Sequence, residues 1–133
     1  MKPFELESSM LTMSGVFYPK GYMFLMFASE QDARAAGQSL EYGGIAGDEI
    51  SLLTPGDIQE KVVRTVGDSQ AMPSAGTESD TVRQFAELAS KGHYALLVHA
   101  PDAKDSDQVM ELLKNSKLTF GQKYRQLVIE DLV

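Results

Sequence analysis

The sequence predicts an α+β domain, and three observations carry that prediction. Two apolar runs, Tyr22–Ala28 and Tyr94–Val98, are built alike: a glycine just before, then a small residue, acidic residues and a helical pattern after. Short apolar runs bounded by turn residues read as strands buried on both faces, in the middle of a sheet. The elements then follow in the order β-α-β-α-α-β-α-β, and removing the two middle helices leaves two βαβ units. Two such units joined make a ferredoxin-like sheet of four strands with two packed helices, in which the first strand of each unit is central. The helices at Pro55–Val66 and Ser79–Lys91 are then an insertion between the halves. A doubly wound parallel sheet, with the extra helices on its second face, is the alternative.

Each element has its own signals. Residues 1–14 mix charge with serine and show no clean period, so they read as a flexible N-terminal arm, docked at most by Phe4 and Leu6. Residues 15–133 form the single α+β domain. Ser29 with Asp32 starts a helix whose inner face, Ala33, Ala36, Gly37 and Leu40, is small enough to lie close to the sheet. Gly43-Gly44 ends it. Ile50 and Leu52 alternate with polar neighbours and mark a second strand. Thr54-Pro55-Gly56-Asp57 carries a cap, a first-turn proline and a capping-box acid, followed by Ile58, Val62 and Val66 on one face. Gly67–Gly76 is a loop. Val82, Phe85, Leu88 and Ala89 line the next helix, and Lys91 suits its C-terminal end. Asp105 or Ser106 caps the following helix, which buries Val109, Leu112 and Leu113. Leu118–Phe120 starts an extended region interrupted at Gly121, and Gln126–Glu130 is the last strand.

Composition narrows the function classes. The chain has 133 residues, 43% hydrophobic and 23% charged, which fits one globular domain. It has no cysteine, so disulfides, thiolate metal sites and cysteine catalysis are excluded. The N-terminus does not read as a secretory signal, and no apolar run approaches the ~20 residues of a membrane span. A cytoplasmic protein is the expectation, without membrane contact. The net charge of −7 disfavours nucleic acid, whose binding rests on phosphate neutralisation. No cofactor is expected: phosphate-loop, dinucleotide, zinc-protease and nucleophile-elbow motifs are all absent.

The candidate site residues are few. His93 and His99 flank the second central strand on one face, roughly 20 Å apart, so they cannot share a metal ion. His99 is the stronger candidate, because it precedes Pro101-Asp102 at the carboxyl end of a central strand. Asp102 and Tyr94 are its expected companions in a ligand pocket. Ser74, Gly76 and Thr77 lie in a small-residue loop before a helix and could present backbone N–H groups to an anion, against the charge of Glu78. Tyr18, Tyr22, Tyr42, Tyr94 and Tyr124 could stack on bases, but the RNA-recognition motif is missing. For each of these residues the bland reading is a capped turn, a satisfied strand end or core.

One family resemblance adds to this. Phe27-Ala28-Ser29-Glu30, Ala33, Leu40, Gly44-Ile45 and Asp48-Glu49-Ile50 form a first set of pieces. Gly92-His93-Tyr94, Val98, Asp102, Val109, Leu113, Tyr124 and Ile129-Glu130-Asp131-Leu132 form the second. Together they resemble bacterial proteins related to the general stress protein 17M group. Members often carry a glycine-rich apolar hairpin between the halves, where this chain has the polar, helical Pro55–Lys91. The resemblance implies a bacterial stress or regulatory setting and no settled activity, so no residue roles carry over. The second sheet face needs a cover, from the inserted helices, the N-terminal arm or another subunit, and a homodimer is the expectation. The expected function is a non-enzymatic protein that self-associates and binds a partner or small ligand. A small enzyme with a pocket at His99 and an RNA-binding domain are the alternatives.

Overall fold

The computed structural model describes residues 1–13, 15–65, 76–124 and 129–131. Strands β1 (Lys2–Pro3), β2 (Tyr22–Phe27), β3 (Ile50–Leu53), β4 (Tyr94–His99), β5 (Leu118–Tyr124) and β6 (Ile129–Asp131) form one six-stranded sheet. Its order is β1-β3-β4-β2-β5-β6. β1 runs parallel to β3 and every other neighbouring pair is antiparallel, which rules out the doubly wound parallel alternative. The protein is α+β, and the two runs expected at the centre, β2 and β4, are its middle strands.

Those two runs are central because they have apolar side chains to bury on both faces. Met23, Leu25 and Phe27 of β2 join Leu96 and Val98 of β4 on one face. Helix α1 (Glu30–Tyr42) covers that face with Ala33, Ala36 and Leu40, and helix α4 (Ala103–Leu112) adds Val109. The Ser29 side chain accepts the Asp32 N–H at the start of α1, as its sequence predicts. On the opposite face lie Phe24, Met26, Ala95 and Leu97. There α2 (residues 55–65) contributes Ile58 and Val62, and α3 (Gly76–Ser90) contributes Val82, Phe85 and Ala89. α2 starts with one α turn at Pro55–Asp57, widens over Ile58–Val62 and tightens over Val63–Thr65. Its first turn carries the complete Thr54–Asp57 capping box.

Of the three covers the sequence offered for the second face (the inserted helices, the N-terminal arm or another subunit), the chain itself supplies the first two. The inserted helices and the N-terminal arm both lie on that face. Phe4, Met10, Val16 and Phe17 are buried in the same cluster as Phe24 and Phe85. Phe4 donates its N–H to the Leu52 carbonyl at 3.2 Å, extending the pairing of β1 with β3, while Leu6 is exposed. The need for a second subunit, the ground for expecting a homodimer, is met within one chain.

Two element boundaries also differ from expectation. β5 runs through Gly121, which sits opposite Leu25 in the ladder with β2, so the extended region is not interrupted there. Gln122 and Lys123 are buried in it, and two polar residues in a row hide a central strand from any apolar pattern. Ile129–Asp131 is an edge strand beyond it. Helix α4 is capped one turn earlier than expected, by Asp102, whose carboxylate accepts the Asp105 N–H at 2.8 Å.

Phe85 stacks on Phe24 with ring centroids 4.0 Å apart. Phe85→Ala should therefore lower unfolding stability by about 3–5 kcal/mol in a denaturant titration. A loss within ~0.5 kcal/mol, the range of a surface substitution, would contradict the packing of α3 on the sheet. In the same assay Thr54→Ala, which removes the capping box, should cost about 1 kcal/mol.

Candidate functional site at the His99 end of the sheet

Antiparallel pairing gathers four segments at one end of the sheet. β4 ends at His99, β2 begins at Tyr22, and the register places these two residues opposite each other. Their rings lie 4.9 Å apart between centroids, tilted by 50°. Ile50 pairs with Val98, so Glu49, just before β3, comes alongside His99. Its carboxylate lies 2.7 Å from His99 Nδ1. A carboxylate only accepts, so Nδ1 carries the proton, and in the neutral ring Nε2 is the acceptor. Among the described residues nothing hydrogen-bonds to Nε2. The His99 side chain is 40% exposed and that of Glu49 43%, so the pair is reachable from solvent.

Gly21 ties this end together. Its N–H donates to the Tyr124 carbonyl at 2.9 Å, and its carbonyl accepts the Ala100 N–H at 2.9 Å. Its φ of +87° is one that a side chain would disfavour. The ends of β4 and β5 are thereby held on either side of the start of β2.

Three cavities open around the His99–Glu49 pair. The largest, about 430 Å³, is bounded by Lys20, Gly21, His99, Asp102, Ala103 and Lys123. A second, about 360 Å³, lies between the end of α1 and α4, with Glu49, His99, Asp105 and Gln108 in its wall. A third, about 280 Å³, lies against the arm and is lined by Lys2, Glu5, Glu7, Tyr22, Asp48 and Glu49 among others. Burial pushes the Tyr22 phenol above its ordinary value, and the negative charges of Glu7 and Glu49 push it further. The Asp102 carboxyl is held below its ordinary value, first by the Asp105 backbone N–H and also by the nearby Lys104 charge.

Of the residues singled out in the sequence, the structure brings together His99 and Asp102. It does not bring Tyr94 to them, which corrects that grouping. Tyr94 starts β4 and His99 ends it, about 16 Å away along the strand. The Tyr94 hydroxyl instead donates to Glu30 at 3.4 Å. His93 is at that same far end, with Nδ1 3.1 Å from the Thr119 hydroxyl. Ser74 lies outside the described residues. Gly76 and Thr77 are described in their backbone only, as the first residues of α3. Both sheet faces are covered, so the tyrosines do not form the open platform that RNA recognition of this kind needs.

Sequence reasoning missed Glu49, Lys20 and Lys123 as site residues, and it singled out Tyr22 only for stacking, not as a neighbour of His99. Glu49 and Tyr22 become neighbours of His99 only through strand register, which no local pattern reveals. Among the described residues no group of three or more His, Asp or Glu side chains is placed to hold a metal ion. No helix among them is long and apolar enough to cross a membrane. No family model, curated protein or solved structure matches the chain.

The Tyr22 phenol supplies a pH prediction. Its folded value lies above the ordinary 10.0, so folding favours the neutral form. That stabilisation is full below the unfolded value and is lost as pH rises through the folded one. Between about pH 9 and 12, wild type should lose more unfolding stability than Tyr22→Phe. Parallel curves for the two proteins would remove Tyr22 from the cause.

Proposed function

We propose that this chain is a non-enzymatic α+β protein that binds a small ligand at the His99 end of its sheet. The observation that supports it is the state of His99. One ring nitrogen is fixed by Glu49, the other is without a partner among the described residues, and the side chain borders two cavities. A histidine serving only to satisfy a strand end has no need of that arrangement. We read the antiparallel run β3-β4-β2-β5, with crossovers α1 and α4, as a ferredoxin-like core carrying α2 and α3 as an insertion. A bacterial stress setting rests on the resemblance to the general stress protein 17M group.

A second reading is favoured by the 2.7 Å contact between Glu49 and His99. A carboxylate that fixes the imidazole tautomer is the arrangement of a general base, and Nε2 would then take a proton from a bound substrate. In that case the protein is a small enzyme acting at the same cavities.

Thermal-shift screening against common metabolites, nucleotides and inorganic ions tests both. A ligand at 100 times its dissociation constant adds about 2.7 kcal/mol of stability. Ligands that stabilise wild type and His93→Ala should fail to stabilise His99→Ala. Equal shifts in all three proteins would move the site away from His99. Following a bound ligand by NMR over hours separates the readings: an unchanged spectrum fits binding alone, and conversion lost in Glu49→Gln fits the base.

A further inference from the structure

Lys123 is the only charged side chain in the core among the described residues, with 8% of its surface exposed. An ammonium group withdrawn from water needs compensation from charge or hydrogen bonds. Here its Nζ donates to the Ser106 hydroxyl at 2.5 Å, and Ser106 passes its own proton to the Ala103 carbonyl at 3.1 Å. Lys123 forms no ion pair among the described residues, and its ammonium carries three donors. Among the described residues only one of those donors has a partner.

The same lysine borders the largest of the three cavities described above, with Lys20 and His99 on the rim. In a chain of net charge −7, this one recess gathers two lysines and a histidine against a single acid, Asp102. Asp102 is already engaged: it caps α4 by accepting the Asp105 N–H. Across the ladder, Glu130 of β6 is the register partner of Lys123.

We infer that this cavity is an oxyanion site, in which Lys123 Nζ and the rim groups Lys20 and His99 receive the phosphate or carboxylate group of a small ligand. The inference rests on the ligand-binding reading above and narrows it to a chemical class. An incoming oxyanion supplies acceptors to the ammonium, and such charge-assisted hydrogen bonds are stronger than neutral ones. The cavity's size suits a single small metabolite rather than a polymer.

The test is titration of the full chain with inorganic phosphate, then with citrate, at constant ionic strength. Amide chemical shifts and thermal stability are both followed. Saturable shifts are expected at Gly21, Asp102 and Ala103, with a rise in melting temperature. Lys123→Met, which keeps the apolar stem, should weaken binding at least about tenfold, the equivalent of about 1.4 kcal/mol. Lys20→Met, at an exposed position, should weaken it less and guards against a folding defect in the first variant. Lys114→Ala, far from the cavity, should change nothing. Phosphate preferred over citrate, or the reverse, identifies which oxyanion the ligand carries. No saturable binding in wild type overturns the inference, as does equal binding by wild type and both methionine variants. Binding that appears only in Glu130→Gln also overturns it, because Glu130 would then be the native counter-charge. A neutral or cationic metabolite that binds through His99 while phosphate fails would remove the oxyanion inference and leave the ligand-binding reading standing.

Discussion

The pairing of β2 with β4 is the constraint on which the rest of the structure depends. Six consecutive residue pairs, from Tyr22 opposite His99 to Phe27 opposite Tyr94, join two strands whose middles are apolar toward both faces. A pair of that kind cannot sit at an edge or face water on either side. It requires two covering layers, and the chain supplies both. α1 and α4 pack on one face; the arm, α2 and α3 pack on the other. The insertion between the two halves thus completes the core rather than decorating it. Fully burying a side chain such as Phe85 contributes about 1.5–3 kcal/mol, so a sheet left bare on that face would forfeit several such terms at once.

The same pairing also fixes the site. Antiparallel register is a rigid relation: once Phe24 faces Leu97, Tyr22 must meet His99. The β3–β4 ladder, with Ile50 opposite Val98, then delivers Glu49 to the imidazole. None of the three residues is a neighbour of another in sequence. Their convergence is a by-product of packing the core, and it places a polar cluster at the rim, where side chains reach both solvent and the low-polarity interior.

How much of this was legible in the sequence follows from which signals are local. The caps at Ser29 and Thr54, the small face of α1 and the two apolar central strands all depend on neighbouring residues, and they read correctly. β5 did not, because Gly121, Gln122 and Lys123 break the apolar pattern inside a strand that is nevertheless central to the sheet. Its polar residues are tolerated because Lys123 finds Ser106 on α4, a partner 17 positions away. The arm was legible only in part: docking of Phe4 was expected, but Met10 lies in a stretch with no period, and it is the sheet face that gives both a place to pack. His99 and Asp102 were found from their position at a strand end, whereas Tyr94 was grouped with them although it belongs to the strand's other end.

The two ends of β4 offer an internal comparison. Each carries a histidine, and the chemistry around them differs. At the His93 end, Nδ1 meets the Thr119 hydroxyl, and Thr119 donates onward to the Met26 carbonyl at 3.0 Å, so the chain of hydrogen bonds closes on the backbone. The His93 ring thereby ties the start of β4 to β5, and its Nε2, like that of His99, has no partner among the described residues. At the His99 end the partner is a carboxylate. Glu49 orients the ring, and the side chain borders two cavities, one of them lined also by Lys20 and Lys123. The difference between the two ends is one of partner and surroundings, a carboxylate and two adjoining cavities against a hydroxyl, and it is this difference that supports the binding proposal at the His99 end.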